Sequence, residues 1–431
     1  MNPINFDRKY YAFSLLLSIV VLLETVSFTY MQEKGYLYYY SSSILYFLCG
    51  LMVCLLPLIP IGKGSNPIKG IGKFSKYTPF LFILLFLVIL GYHLDILIPL
   101  YRNITIDKAV ADMLPAIRIA CQRLLAGETV YAPTPQIWPN TVVQYFPTMW
   151  MPFLPAEIFK FDYRWITFGL QFLGIALILK PVFNINRNIP FIPSAIAGIG
   201  LFLFLNYFMV KDPTYWAMTE EGVVTGFYLF LSFALLRRNY WLIGIAMMCC
   251  TLSRYSLVFW IPVYFGYVFF TGFRSDFWKL FLSYGLSMSL FFIIPFFVKD
   301  PAYFFHIPAT YTRFIDRFWL GYDLDKHLYY NVGFFKFFTF SNHGVMTVLE
   351  VITSFAAPVI LLSVAQKLKQ KFELNDRYMA YASLKISLIF FFGFIQMPYM
   401  YVFVPVTLIS YTVLFDYLVL QNSNKLLSHR I

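Results

Sequence analysis

Asp112 opens the first stretch of the chain whose residue types and spacing suggest chemistry. Its side chain can accept the free backbone N–H groups of a helix's first turn, and Pro115 is tolerated within that turn. Gly127 then supplies a C-terminal cap. Between them an apolar face (Leu114, Ile117, Cys121, Leu124, Leu125) lies opposite a polar one (Arg118, Gln122, Arg123). The pattern predicts an amphipathic helix along an interface, in which Asp112 alone would be only a helix cap.

Arg254 is the second residue of interest, because it interrupts the apolar run 240–272. An arginine in such a run is energetically costly and by default marks a functional path. Its guanidinium can pair bidentately with phosphate oxygens. The alternative is a side chain that merely extends to the membrane surface. Arg118 and Arg123 present the same choice between a phosphate ligand and the solvated face of their helix.

The composition shows what kind of elements must position these residues. The chain has 431 residues, of which 60% are hydrophobic and only 13% are charged. Soluble domains have about twice that charged fraction. The composition excludes an ordinary cytosolic enzyme, a disordered chain and a nucleic-acid module. It predicts an all-α, polytopic membrane bundle of about 12–13 spans, since each span needs about 20 apolar residues.

The spans and their orientation follow from apolar runs and charge. The runs are 10–30, 37–61, 78–100, 163–183, 190–210, 221–237, 240–253, 255–272, 278–298, 345–366, 380–396 and 398–420. A shorter, proline-broken run at 142–159 is either a span or, as we prefer, a half-helix that enters from one side. Lysine and arginine concentrate in alternate loops, which the positive-inside rule makes cytoplasmic. The net charge of +12 therefore reflects topology and not a nucleic-acid surface.

These runs predict four parts of the chain. Residues 1–77 form a transmembrane hairpin and a basic cytoplasmic loop, and residues 78–298 form the main module with a long outer loop at 101–162. A second outer loop covers 299–344, and C-terminal transmembrane helices cover 345–431. Outer loops of this length are usually functional or have a fold of their own. Chemistry, if the chain performs any, is expected at the outer face.

Several motifs together resemble a known group of enzymes. Asp112 is followed by Leu124-Leu125-Ala126-Gly127, then by Tyr131 and by Tyr145-Phe146-Pro147. Here the chain resembles the C-type (GT-C) glycosyltransferases, and most closely the polyprenol-phosphate-mannose-dependent mannosyltransferase family. Glu220-Glu221-Gly222, Ser253-Arg254-Tyr255-Ser256 and Pro398-Tyr399-Met400-Tyr401 extend the similarity over most of 78–420. The chain departs from the family pattern at Val130 and Thr148, where the family has proline, and at Arg254, where it has lysine.

The resemblance implies transfer of a sugar from a polyprenyl-phosphate donor to a lipid or glycan acceptor at the outer face. It makes Asp112 the general base, with Asp107 in reserve. Arg254, and after it Arg118 and Arg123, would bind the donor phosphate. The residues expected to bind acceptor or sugar are Glu220, Glu221, Tyr131, Tyr145 and Tyr399. For each of them a solvated turn or an aromatic belt is the alternative interpretation.

The resemblance implies no cofactor and requires no metal. The histidines show no metal-ligand spacing, and Asp323-Leu324-Asp325 lacks the soluble domain that a metal-binding Asp-x-Asp needs. Glu24 and Glu350 lie near or within predicted spans, and no role is assigned to them. The expected partners are the donor, the acceptor and membrane lipids, with no nucleic acid. The expected location is a bacterial inner (plasma) membrane, with the site facing outward.

Two other function classes remain open from the sequence. A transporter or flippase for a lipid-linked glycan would show internal repeats and charged residues near the middle of several spans. Neither feature is clear in the sequence. A non-catalytic scaffold of an envelope-assembly complex is the third class, and it predicts that Asp112 can be replaced without consequence.

Overall fold

The computed structural model describes residues 6–31, 36–59, 67–68, 71–109, 111–137, 142–184, 189–301, 304, 332–338, 343–372, 374–395 and 400–419. Helices dominate these ranges, as the composition predicts. Their bounds are α1 Arg8–Thr29, α2 Tyr36–Leu55, α3 Thr78–Asn103, α4 Met113–Leu125, α5 Pro147–Trp150, α6 Leu154–Phe159, α7 Arg164–Leu179, α8 Phe191–Val210, α9 Thr214–Met218, α10 Glu221–Arg237, α11 Tyr240–Thr251, α12 Trp260–Thr271, α13 Arg274–Met288, α14 His343–Phe372, α15 Met379–Gly393 and α16 Phe403–Leu418. A π-helical segment, Ser289–Phe297, continues α13.

Every predicted apolar run contains a helix, and seven helices in the described ranges are long and apolar enough to cross a membrane. The prediction of a multi-pass helical membrane protein is therefore confirmed. The others are shorter, and α11 and α12 have only 12 residues each. Twelve residues extend about 18 Å, against a hydrocarbon core of about 30 Å. The predicted spans 240–253 and 255–272 are thus two short helices, and the turn between them carries Arg254.

The centre of the bundle is α16, all of whose residues are buried. It packs against α1, α7, α8, α10 and α15, while α1 also packs against α2 and α8. The N-terminal hairpin is therefore integrated with the C-terminal helices. By contrast, α3 and α14 expose many of their apolar residues. This distribution is expected where peripheral helices face lipid hydrocarbon.

The described residues of the predicted outer loop 101–162 fold into a compact unit around α4, which we call the outer unit. Helices α5 and α6, with the short 3₁₀ turn Met151–Phe153 between them, pack against α4. The buried residues of this unit include Leu114, Ile117 and Cys121 from α4 and Trp150 from α5. Proline-rich sequence breaks the helical path at 147–159, and the pieces have 4, 3 and 6 residues. The segment preferred as a half-helix is therefore a broken, short helical stretch.

Among the described residues, β-structure is limited to two antiparallel two-residue strands, Phe6–Asp7 and Pro67–Ile68, and one isolated bridge between Pro133 and Val142. Most of the second outer loop, 305–331, lies outside the described residues. The predicted boundaries of the four parts of the chain stay predictions.

Candidate functional site

Two turns, one before α10 and one between α11 and α12, bring charged residues together. Glu220 and Glu221 lie at the start of α10, and Arg254 lies between α11 and α12. A guanidinium N–H of Arg254 donates to Oε1 of Glu221, forming an ion pair between residues that are 33 positions apart. Both glutamates are buried, whereas the Arg254 side chain is 21% exposed. Arg254 is therefore the more exposed partner of the pair.

Three polar atoms of this cluster lack a hydrogen-bond partner within the part of the chain that the structure describes. They are Oε2 of Glu220, Oε2 of Glu221 and Nε of Arg254, and all three are buried. A buried polar atom without a partner costs about 1–3 kcal/mol, and more when the group is charged. Native proteins keep few such atoms. Their concentration in one cluster makes it the candidate site for a polar ligand.

The electrostatics of the cluster set the protonation of Glu220. Burial raises the pKa of its carboxyl group, the guanidinium of Arg254 lowers it, and the carboxylate of Asp112 raises it. The net effect is a pKa above the ordinary glutamate value. This coupling places Asp112 within electrostatic reach of Glu220. The structure thus brings together three of the residues selected from the sequence, Glu220, Glu221 and Arg254, and places Asp112 within electrostatic reach of Glu220.

Asp112 occupies the predicted N-cap position of α4, but its side chain makes no capping hydrogen bond. The helix instead begins with the backbone bond from Ala116 N to Asp112 O at 3.0 Å. Capping therefore does not account for the carboxylate. Asp107, the reserve base, accepts the backbone N–H of Ala109 at 2.8 Å in an exposed turn. That bond explains an aspartate at position 107 without any catalytic role.

Close helix packing fixes the position of the two glutamates. Gly222 lies directly against α7, where an added Cβ would lie 2.5 Å from the Thr167 carbonyl oxygen. Gly226 makes a similar approach to Leu170, with 2.8 Å to the carbonyl oxygen. The hydroxyl of Thr219 donates to the Tyr215 carbonyl at 2.6 Å and so stabilises the turn before Glu220. The start of α10 is therefore held tightly against α7.

Arg254 is positioned by the end of α11. Its backbone N–H donates to the Cys250 carbonyl at 2.9 Å, and the chain then becomes extended, with φ −148° at Arg254. Thr148 of α5 donates its hydroxyl to the Cys249 carbonyl at 2.7 Å. This bond connects the outer unit to the turn that carries Arg254. Thr148 stands where the resembled family has proline, which has no hydroxyl group, so the departure has a structural use.

The other two candidate arginines have partners within the outer unit. The guanidinium of Arg123 donates to the carbonyls of Val130, Ala132 and Pro133 at 2.6–3.1 Å. It thereby holds the chain that follows α4. The guanidinium of Arg118 lies over the ring of Tyr163, 5.3 Å from its centroid. The structure does not bring either arginine into a contact with the cluster, and their phosphate-binding roles stay predictions.

A carboxylate that sequence reasoning missed lies in the same unit. Glu157 of α6 accepts hydrogen bonds from Lys160 at 2.7 Å, Tyr163 at 2.5 Å and Gln122 at 3.3 Å. Burial raises the pKa of this carboxyl group, but the hydrogen bonds outweigh it and leave the pKa below its ordinary value. Glu157 is thus a fully partnered, ionised residue that connects α4 to α6.

The aromatic candidates are mostly part of the packing. Tyr131 is buried, receives a hydrogen bond from Trp150 Nε1 at 3.4 Å and donates to the Tyr145 carbonyl at 3.3 Å. The side chain of Tyr145 is half-buried beside it. Tyr399 lies outside the described residues. A role in sugar binding stays a prediction for all three.

A second polar group near the cluster was also missed. Tyr401 donates to Asp212 at 3.2 Å, and its ring lies 5.6 Å from that of Tyr215. Tyr215 donates to Gln171 at 2.6 Å and lies within electrostatic reach of Glu220. Only the predicted start of the last span at 398–402 gave a signal for this group. It adds polar side chains around the start of α9, within electrostatic reach of Glu220.

The described residues contain no cluster of three or more histidine, cysteine, aspartate or glutamate side chains arranged to hold a metal ion. What the site offers is one guanidinium that can bind an oxyanion, one carboxylate that does not cap its helix, and two buried glutamates. Comparisons with family models, with curated protein sequences and with solved structures found no match to this chain. The family resemblance therefore depends on the motif residues alone.

Proposed function

We propose that the protein is a membrane glycosyltransferase that moves a sugar from a polyprenyl-phosphate donor to an acceptor hydroxyl at the outer face. The observation that carries the proposal is the cluster of Glu220, Glu221 and Arg254, three of whose buried polar atoms have no partner among the described residues, with Asp112 within electrostatic reach of Glu220. A lipid-phosphate sugar offers groups for both charges of the cluster. Its phosphate suits a guanidinium, and its hydroxyls suit carboxylate oxygens.

The proposed reaction is a direct displacement at the anomeric carbon. The acceptor oxygen forms a bond to that carbon while the bond from the carbon to the phosphate oxygen breaks. The acceptor hydroxyl loses its proton to the Asp112 carboxylate, and the electron pair of the broken bond stays on the polyprenyl phosphate. Arg254 stabilises the negative charge that develops on the leaving phosphate. A single base suffices for this inverting step.

The location of the site in a bacterial inner membrane, facing outward, is part of the proposal. Its support is the distribution of charge in the sequence. Basic residues concentrate in the loops opposite the outer unit, as the positive-inside rule requires for cytoplasmic loops. The transfer assay identifies which sugar is moved, mannose or another hexose or pentose. It also identifies whether a lipid or a glycan accepts that sugar.

The test is sugar transfer by the full-length protein in reconstituted membranes, with a panel of polyprenyl-phosphate sugars. We expect Asp112→Asn to reduce turnover by about 10²–10⁴-fold while donor binding is retained, because only proton removal is affected. Asp107→Asn is the direct comparison, and Glu128→Gln, an exposed carboxylate in the same loop, is the matched control. Unchanged turnover in Asp112→Asn, with loss in Asp107→Asn, moves the base to Asp107. Absence of turnover with every donor contradicts the proposal.

One observation favours a transporter as the second candidate. Glu24 of α1 and Lys385 of α15 form an ion pair in the interior of the bundle, with Nζ 2.5 Å from Oε1 and both side chains fully buried. Charged residues inside membrane bundles often mark ion or substrate paths. Uptake of a lipid-linked glycan into protein-containing vesicles, lost in Glu24→Gln and retained in Asp112→Asn, would favour this candidate over the transferase.

A further inference from the structure

The ion pair between Arg254 and Glu221 has a consequence for ligand binding. In the structure Arg254 donates one of its five N–H groups to Glu221, so a phosphate that takes up this N–H group competes with that carboxylate. Glu221 is only 2% exposed, and its second oxygen has no partner among the described residues. Removing Arg254 from Glu221 would leave a buried carboxylate unpaired, which is strongly unfavourable. A bare phosphate is therefore a poor replacement for Glu221.

A phosphate that carries a sugar differs in this respect. Its oxygens can pair with Arg254 while a sugar hydroxyl donates to the Glu221 carboxylate, so both halves of the broken ion pair gain a new partner. Hydrogen bonds to a charged group are about twice as strong as neutral ones. After transfer the lipid phosphate has lost its sugar, and Glu221 is again without a donor. The carboxylate then returns to Arg254 and displaces the phosphate.

We infer that Glu221 is a competing partner of Arg254, which selects sugar-bearing over bare polyprenyl phosphate and drives release of the lipid-phosphate product. This inference rests on the proposed function and assigns Glu221 a role at the donor, where the sequence analysis expected one at the acceptor or sugar. Glu221 is a specificity-determining residue here, and the base remains Asp112. The neighbouring Glu220 is also acidic, and Asp112 lies within electrostatic reach of it.

The test measures the affinity of a bare polyprenyl monophosphate for the full-length protein in nanodiscs. We expect Glu221→Gln to bind this lipid about fivefold more tightly than wild type, because the competing charge is gone. In the transfer assay the same lipid should inhibit the variant more strongly as a product. Arg254→Met should bind neither form of the lipid. Glu128→Gln, which changes an exposed carboxylate of the outer unit, is the matched control and should bind like wild type.

The outcomes separate this inference from the proposed function. Equal or weaker binding of the bare lipid by Glu221→Gln overturns the inference, and Glu221 then only positions Arg254. Absence of binding of either lipid by wild type overturns the proposed function and the inference with it. If Glu221→Gln does not fold, Glu221→Asp serves instead, since it keeps the charge but is one methylene shorter and holds Arg254 less well. It should shift the affinity in the same direction.

Discussion

At the scale of single residues, the cluster contains more negative than positive charge. Glu220 and Glu221 both interact with one guanidinium, that of Arg254, and Glu220, the more deeply buried of the two, has a raised pKa. Burial is the largest influence on the pKa of Glu220, because it disfavours the charged form of the carboxyl group.

The raised pKa of Glu220 predicts how the stability of the protein depends on pH. A carboxyl group whose pKa is raised in the folded state stabilises fully below its unfolded pKa and loses that contribution as the pH rises through the folded pKa. Burial, opposed by Arg254 and reinforced by Asp112, raises the pKa of Glu220. We therefore expect Glu220→Gln to gain stability relative to wild type between pH 5 and pH 8. Thermal unfolding of the solubilised protein at both pH values measures the change, with Glu128→Gln as the exposed control. A difference that does not vary with pH contradicts the assignment.

At the scale of elements, the contact between α7 and α10 decides where the two glutamates lie. Small residues allow these helices to approach so closely that backbone atoms of α7 occupy the space of missing Cβ atoms on α10. Membrane helices commonly use small residues for such contacts. Because Glu221 immediately precedes Gly222, a shift of Gly222 would also move Glu221 and alter its ion pair with Arg254. The geometry of the site therefore depends on the contact between α7 and α10. Gly222 and Gly226, which make that contact, are not themselves charged residues of the site.

We expect Gly222→Ala to destabilise the protein by about 1–3 kcal/mol, since its methyl group would overlap the Thr167 carbonyl oxygen. Transfer activity should fall with it, because the start of α10 must shift. Gly169→Ala on α7 is the control, as no atom lies within 4 Å of the added Cβ. That control should be neutral or stabilise by up to about 1 kcal/mol, since alanine favours helix. Thermal unfolding and turnover of both variants make the comparison, and equal effects would contradict the packing argument.

At the scale of the whole molecule, a buried polar network joins the first helix to the last ones. Glu24 of α1 accepts from Lys385 of α15 at 2.5 Å and from Ser410 of α16 at 2.7 Å. Thr25 and Tyr411 share a hydrogen bond at 2.7 Å beside it. Lys385 also donates to the Val406 carbonyl. The N-terminal hairpin is thereby joined to the centre of the bundle. The sequence analysis had placed the hairpin and the C-terminal helices in separate parts of the chain.

We expect Lys385→Met to lower the free energy of unfolding by about 3–5 kcal/mol, because Glu24 would remain buried without its partner. The double variant Glu24→Gln with Lys385→Met should recover much of this loss, since no charge is left unpaired. Lys279→Met provides the control: its ion pair with Asp276 is 45% exposed on the lysine side and is worth about 1 kcal/mol or less. A double-mutant cycle from denaturant unfolding measures the coupling. A double variant as unstable as Lys385→Met would contradict an ion-pair role.

The sequence by itself determined the class of the protein and its helices. Apolar runs in a chain this poor in charge must form helices in a membrane, because hydrocarbon offers no partners for backbone N–H and C=O groups. The helix after Asp112 was equally predictable, since its bounds and its apolar face follow local rules, although the side chain of Asp112 does not make the predicted capping bond. The three residues of the cluster and Asp112 could each be selected from type and context, because charge beside an apolar run is rare and costly.

Only the tertiary structure decided which of these residues meet. The ion pair of Glu221 with Arg254, the bond from Thr148 to Cys249 and the pair of Glu24 with Lys385 join residues 33, 101 and 361 positions apart. No local rule predicts such pairs, because helix propensity and periodicity reach only across a few residues, whereas packing selects partners among all helices. The same limit applies to Arg123. Its charge suggested that it binds the donor phosphate, whereas its carbonyl partners could be identified only from the fold of its own loop. Local sequence rules identified the candidate residues, whereas long-range packing determined their interaction partners.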